Sequence, residues 1–246
     1  FLRDGKILEY PYKVREIEGK KSHEYRFQVK KNDCFVLMSD GVIYAGAGSI
    51  LNMQGWTWEA MAEYTLKCTK KTLSASRLAV LLSQACDELY EERPGDDTTI
   101  AVARVIERRI VNIFTGPPKD KADDDRLMHE FMRSEGKKVV SGGTSSNIAA
   151  RFLGKEIITR ADSADPDVPP AAEIEGIDLV TEGVLTLGKC LKLLKKYANG
   201  EFDEEFFDEL DADNGASRLA KLLIEECTEL NLFVGTSVNK AHKNSE

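Results

Sequence analysis

Acidic residues stand at two points in the first half of the chain where an apolar run ends or begins. Asp40 follows the run CFVLM at 34–38, and Asp96 and Asp97 precede the run that starts at Thr98. If the two runs pair as antiparallel strands, the end of the first lies beside the start of the second. Carboxylates without a cation between them repel each other unless they share a proton or a metal, and Mg²⁺ or Mn²⁺ prefers oxygen ligands. The pattern indicates a divalent metal site, although Asp-Gly and Gly-Asp pairs by themselves are more often plain turns.

The elements that must position these acids follow a strand, helix, helix, strand order. The run at 34–38 has the composition and length of a strand buried on both faces. Residues 56–69 space apolar side chains, Trp58 among them, at helical intervals, and Ser74 can cap a second helix that continues to Glu91. The segment TTIAVARV then returns to a strand pattern.

The second half alternates strands and helices. Strands are predicted at 110–114, 138–140, 177–180 and 230–234, and helices at 122–134, 145–153, 186–197 and 217–229. This alternation is typical of a mainly parallel, helix-covered sheet. The Pro-rich and acid-rich stretch 161–176 is predicted to be a long surface loop. We therefore expect an α+β N-terminal part, residues 1–108, followed by a mainly parallel three-layer α/β domain, residues 109–246.

Composition limits the choice of partners and compartment. The formal charge of −8 disfavours nucleic acid, and no apolar run approaches the roughly 18 residues of a membrane span. The five scattered cysteines form no Cys-x-x-Cys pair and are expected to be buried free thiols in a reducing cytoplasm. Because the chain starts on Phe1 rather than Met, we expect it to be part of a longer protein.

The segments FVLMSDGV and RPGDDTTIAVARV, with two helices between them, resemble the closing half of the metal-dependent serine/threonine protein phosphatases of type 2C, the PPM family. The resemblance is greatest to the bacterial branch typified by stage II sporulation protein E, and it covers about residues 1–106. It implies an α/β/β/α sandwich, incomplete here, whose acids hold two Mn²⁺ or Mg²⁺ ions. A bridging water would attack a phosphoserine or phosphothreonine of a regulatory protein.

The resemblance also assigns individual residues. Asp40 matches a metal-binding aspartate, Asp96 matches the last metal-binding aspartate, and Asp97 stands at the adjacent position that is Asp or Asn in relatives. Gly41 would let the chain turn tightly past the metals and is a candidate substrate- or ligand-binding residue. The family's first metal motif has no counterpart, since Asp4-Gly5 has the context of a hairpin turn. We therefore expect the chain alone to be inactive, and its sheet to expose a face or pair in a homodimer.

Two similar strings in the second half, VVSGGTSSN and LFVGTSVN, each place Gly-Thr-Ser after an apolar strand. The residues concerned are Gly143, Thr144, Ser145, Gly235, Thr236 and Ser237. Loops at the carboxyl ends of parallel strands converge on one crevice, so these loops indicate a pocket for a small phosphate-bearing ligand or nucleotide. The alternative is that Thr144 or Ser145 is a helix N-cap and that the similarity is fortuitous. Small-molecule sensing or protein interaction is thus the alternative function to phosphatase activity.

Overall fold

The computed structural model describes residues 1–47, 55–91, 93, 95–159 and 171–237. The chain folds into two compact units, Phe1–Glu107 and Arg108–Glu246, which we call unit 1 and unit 2. Each unit contains its own sheet.

Unit 1 is built on antiparallel strands. They are β1 (Leu2–Arg3), β2 (Lys6–Ile7), β3 (Tyr12–Ile17), β4 (Lys20–Tyr25), β5 (Cys34–Met38) and β6 (Ile100–Arg104). Strands β3 and β4 form a separate hairpin, and the other four form a sheet in the order β2-β1-β5-β6. Asp4 and Gly5 connect β1 to β2 with φ angles of 51° and 70°. The positive φ angles fit a tight Asp-Gly hairpin turn, as the sequence predicted.

Three helices complete the described part of unit 1: α1 (Asp40–Ile43), α2 (Trp58–Lys71) and α3 (Ala75–Leu89). Helix α3 begins where predicted, because the Ser74 hydroxyl accepts a hydrogen bond from the Arg77 N–H. Of the apolar residues spaced at helical intervals, Trp58 is half exposed, whereas Met61 and Ala62 are buried. Trp58 is the first residue of α2, and a side chain there leans beyond the helix start rather than over the helix body.

Strand β5 is buried on one face only, which corrects the prediction of burial on both. Cys34 and Val36 pack against the α2 and α3 side chains, whereas Leu37 on the opposite face is 63% exposed. Phe35 shares that face and stacks on Phe1, with their ring centroids 4.7 Å apart. The described part of unit 1 thus shows a sheet with helices against one face and an exposed opposite face. An α/β/β/α sandwich stays a prediction.

Unit 2 contains a six-stranded, mostly parallel sheet. Its strands are β7 (Ile110–Thr115), β8 (Lys137–Ser141), β9 (Ile158–Thr159), β10 (Ala172–Glu173), β11 (Leu179–Thr181) and β12 (Glu229–Val234). The strand order is β12-β7-β8-β11-β10-β9, and the first four strands are parallel. The mainly parallel sheet predicted from the sequence is confirmed. The predicted surface loop at 161–176 falls partly outside the described residues, but its end forms β10, with Ala171 and Ile174 buried on either side.

Helices lie against both faces of this sheet. They are α4 (Asp124–Arg133), α5 (Gly143–Leu153), α6 (Val184–Ala198), α7 (Glu204–Asp211) and α8 (Gly215–Glu225). Phe114, Val140 and Val180 form a core with apolar residues of α4 and α5. Thr181 points to the opposite face of the sheet, where it meets Gly215 at the start of α8. Helix α6 packs against α8.

None of the described helices is long and apolar enough to cross a membrane. All five cysteines are free thiols, and all but the half-buried Cys227 are buried, nearly as predicted. Burial raises the pKa of Cys86 to about 11 and that of Cys190 to about 12. These two thiols are therefore protonated and unreactive at neutral pH.

Candidate functional site

The two acidic motifs of unit 1 lie side by side because β5 and β6 pair antiparallel, with Met38 opposite Ile100. The pairing continues past the strands through Ser39. Its backbone N–H donates to the Thr99 carbonyl at 3.0 Å, and its hydroxyl accepts from the Thr99 N–H at 2.9 Å. The same hydroxyl donates to the Asp97 carbonyl at 2.9 Å. Ser39 therefore holds the Ser-Asp-Gly turn directly against the Gly-Asp-Asp-Thr-Thr segment.

Gly41 is required by a close backbone approach. A Cβ at this position would lie 2.5 Å from the Asp97 carbonyl oxygen and 3.2 Å from the Thr98 hydroxyl. Real Cβ atoms essentially never come that close to a backbone oxygen. Gly41 is a ligand-binding candidate from the sequence, but in the structure the space beside it is filled by the Asp97 backbone. Gly41 thus permits the two acidic motifs to touch.

Tyr90 also contacts the Ser-Asp-Gly turn, although no sequence motif predicted this. Its hydroxyl donates to the Gly41 carbonyl at 2.7 Å, across 49 positions of the chain. Burial raises the pKa of the phenol, a hydrogen bond with Thr98 lowers it, and the nearby charges of Asp96 and Asp40 raise it. In the sequence, Tyr90 stands at the end of a predicted helix, shortly before the acidic pair. That position does not predict its hydrogen bond to Gly41, which lies 49 residues earlier in the chain.

The three carboxylates face solvent. Asp40, Asp96 and Asp97 are exposed, and no ion pair of the described residues involves any of them. The Asp96 carboxylate accepts from the Asp97 N–H at 2.8 Å, and that of Asp40 accepts from the Gly41 N–H at 3.1 Å. Hard carboxylate oxygens without a cationic neighbour suit Mn²⁺ or Mg²⁺ chemically.

The ligand set on this edge is nevertheless sparse. Among the described residues, no three His, Cys, Asp or Glu side chains are grouped closely enough to hold a metal ion. An ion that needs about six oxygen ligands would take most of them from water or from other groups. The donor chemistry fits a divalent cation, whereas the number of donors does not make a closed site.

The two Gly-Thr-Ser loops of unit 2 lie at one edge of the sheet but in different surroundings. Strands β8 and β12 both run parallel to β7 on either side of it, so their carboxyl ends lie about 10 Å apart. A Cβ on Gly235 would overlap the backbone of Gly116 and Pro117. A Cβ on Gly143 would meet nothing within 4 Å. Gly143 therefore has open space beside it, whereas Gly235 is packed against the backbone at 116–117.

The start of α5 differs from the alternative prediction of a Thr or Ser N-cap. The helix begins at Gly143, two residues earlier than predicted, and its N-cap is Gly142, which provides no side-chain cap. Gly143 and Thr144 are exposed, whereas Ser145 is buried. Gly142 has a φ angle of 107°, a conformation that L side chains rarely adopt. Helix α5 therefore begins at two exposed residues and has no side-chain cap.

Comparison with known protein families gives a match within unit 1. Residues 17–106 match the family model described as stage II sporulation protein E (SpoIIE). No curated protein and no solved structure matches the chain. The matched region runs from the end of β3 through β6 and contains Ser39, Asp40, Tyr90 and both acids of the pair. Residues 17–106, and with them the paired acidic motifs, are therefore similar to the SpoIIE-like family of PPM-type phosphatases.

Proposed function

We propose that unit 1 forms part of a metal-dependent phosphatase that hydrolyses phosphoserine or phosphothreonine on a regulatory protein. The observation that carries this proposal is the contact between the Ser-Asp-Gly turn and the acidic pair, within a region that matches the SpoIIE family. The contact brings uncompensated carboxylates together at the end of a sheet. Mn²⁺ or Mg²⁺, when bound, would supply the charge and the activated water for phosphoester hydrolysis.

We assign separate roles to the residues of this edge. Asp40 and Asp96 would hold the cation through their carboxylates, with Asp97 next to them. Ser39 and Tyr90 act as positioning residues, because their hydrogen bonds end on the backbone of Asp97 and Gly41 respectively. Keeping the two acidic motifs in register is the contribution of these residues to the reaction.

The 246 residues alone should turn over phosphopeptide slowly. Their sequence contains no counterpart of the family's first metal motif, and the described residues give no closed group of metal ligands. A cation held by two carboxylates and water binds weakly and positions its water loosely. Efficient hydrolysis would need further acids opposite Asp40.

The experiment is Mn²⁺-dependent phosphate release from phosphoserine and phosphothreonine peptides, measured on the protein expressed from its complete reading frame. Asp40→Asn and Asp96→Asn keep the side-chain shape but remove the charge, and each should lower turnover by about 100-fold or more. Asp4→Asn is the matched control, because it changes another Asp-Gly turn of the same unit. Absence of Mn²⁺-dependent release, or full activity of Asp40→Asn, would overturn the proposal.

The alternative function, ligand binding by unit 2, has one observation in its favour. The loop at 143–145 opens a helix on an uncapped and exposed surface. The loop at 235–237 offers less, since Gly235 is packed against Gly116 and Pro117. If unit 2 binds a small molecule, the start of α5 is the better place for it.

A further inference from the structure

Two helix starts meet at the carboxyl edge of the unit 2 sheet. Gly142 is the N-cap of α5 and Gly183 is the N-cap of α6, and neither helix has a side-chain cap. A Cβ built on Gly183 would lie 3.6 Å from the Gly142 Cα, so the two caps are in contact. They are neighbours because β8 and β11 are adjacent parallel strands, with the Gly142 N–H donating to the Thr181 carbonyl at 2.9 Å. The positive ends of two helix dipoles therefore converge.

A buried hydroxyl without a partner lies in the first turn of α6. Thr186 is fully buried, and within the described residues its Oγ1 has no hydrogen-bond partner. A side chain at the third helical position leans back toward the helix start, which here is Gly183. The Thr186 methyl group approaches α8, where it lies 3.5 Å from the position of a Gly215 Cβ. Because buried hydroxyls are nearly always paired, this one calls for an acceptor at the helix start.

Three hydroxyls near Gly142 have hydrogen-bond partners within the protein. Thr181 Oγ1 donates to Ser141 Oγ at 3.1 Å, and Ser141 Oγ donates to the Glu182 carbonyl at 3.0 Å. Ser146 Oγ donates to the Gly142 carbonyl at 3.0 Å. Ser145, at the third position of α5, is buried with its Oγ 3.7 Å from the position of a Gly142 Cβ. Within the described residues, Thr186 thus differs from Ser141, Ser146 and Thr181 in having no acceptor.

We propose that the paired starts of α5 and α6 bind the phosphate group of a small phosphorylated molecule. The first backbone N–H groups of both helices and the Thr186 hydroxyl would donate to the phosphate oxygens. Val184 and Leu185, 69% and 68% exposed in the first turn of α6, offer an apolar surface to the rest of the molecule. Glu182 is exposed beside them, and its charge favours one phosphate over a polyphosphate chain. This binding would be independent of the metal site in unit 1.

The probes are inorganic phosphate, adenosine monophosphate and adenosine, titrated into the 246-residue protein by ¹H–¹⁵N NMR. Adenosine monophosphate should bind more tightly than phosphate, and adenosine should not bind. Equal affinities for adenosine monophosphate and phosphate would overturn the assignment of a phosphorylated small molecule. Absence of saturable shifts at Gly143 and Val184 would overturn the site itself.

Thr186→Val is the decisive variant because it preserves shape and removes only the hydroxyl. It should weaken adenosine monophosphate binding about tenfold, the loss expected for one hydrogen bond to a charged group. The unfolding temperature should not fall, since the hydroxyl has no partner among the described residues. A higher unfolding temperature together with unchanged adenosine monophosphate affinity would contradict the proposal.

Gly143→Asp provides a second variant that does not depend on Thr186. An acidic residue in the first turn stabilises a helix but repels an anion at its start, and Gly143 has open space for the side chain. Binding should therefore be lost while the fold is retained. Thr236→Val, in the similar loop whose Gly235 is packed against the backbone, is the matched control and should bind normally. Loss of binding in Thr236→Val with retention in Gly143→Asp would move the site to the other loop and overturn the proposal.

Discussion

Substituting Gly41 by alanine tests the contact between the two acidic motifs. The new Cβ would lie 2.5 Å from the Asp97 carbonyl oxygen, whereas ordinary contacts begin at 3.4 Å. The backbone of one motif must therefore withdraw, although Ser39 holds the Asp97 carbonyl at 2.9 Å. Overpacking of this kind costs about 1–3 kcal/mol, and a lost Ser39 hydrogen bond about 1 kcal/mol more.

Part of this cost is offset in the unfolded chain. Alanine restricts the unfolded backbone more than glycine does, which stabilises the folded state by about 0.4–1 kcal/mol. The net loss of unfolding free energy for Gly41→Ala is therefore about 1–3 kcal/mol. For a unit of about 100 residues, this corresponds to a fall of roughly 5–15 °C in the midpoint of thermal unfolding.

Tryptophan fluorescence is the appropriate assay, because both tryptophans of the chain, Trp56 and Trp58, lie in unit 1. Gly95→Ala is the matched control beside the same site, since its Cβ would meet only the Tyr90 ring at an ordinary 3.6 Å. That variant should unfold within about 2 °C of the wild type. If Gly41→Ala were as stable as Gly95→Ala, the two acidic motifs would not be in the contact described, and the reasoning would be refuted.

Two further predictions concern unit 1. Tyr90→Phe removes the hydrogen bond to the Gly41 carbonyl and should lower the unfolding free energy by about 1 kcal/mol in urea; an unchanged urea midpoint would contradict the role given to Tyr90. The buried Asp33 carboxylate pairs with Arg3 at 2.6 Å, and this hydrogen bond lowers the pKa of Asp33 below its ordinary value of 3.8. Because the folded pKa is the lower one, the pair's contribution to stability is present above pH 3.8 and is lost as the pH falls through the folded pKa. Acid titration of tryptophan fluorescence should show this loss in the wild type, and an equal acid dependence in Asp33→Asn would disprove the assignment.

The local elements of unit 1 were predictable because their signals are local. Ser74 caps α3 by accepting a hydrogen bond from the N–H of Arg77, three residues later. The apolar composition of the two runs is enough to predict strands β5 and β6. The exposure of Leu37 could not be read in the same way. An apolar run shows that a strand has a buried face, but the number of covered faces depends on the layers that pack against it.

In the candidate sites, too, some features were predictable from the sequence and others depend on packing of the whole unit. Antiparallel pairing of β5 with β6 was enough to bring Asp40 toward the acidic pair, so that juxtaposition was foreseeable from the sequence. In unit 2 the similarity between the two Gly-Thr-Ser loops was a poor guide to surroundings. Gly142 contacts Gly183, which shares no motif with it, because β8 and β11 are neighbours in the sheet. The order of the strands depends on packing over the whole unit, so it cannot be predicted from short sequence motifs.

Binding of Mn²⁺ to the 246-residue protein, followed by electron paramagnetic resonance, tests the central claim most directly. Asp40 and Asp96 should together support weak, saturable binding with a dissociation constant of about 10⁻⁴–10⁻³ M, the range of sites with few charged ligands. Asp40→Asn and Asp96→Asn should each abolish this binding, while Asp4→Asn should leave it intact. Equal Mn²⁺ binding by the wild type and both site variants would show that these acids are not the metal ligands.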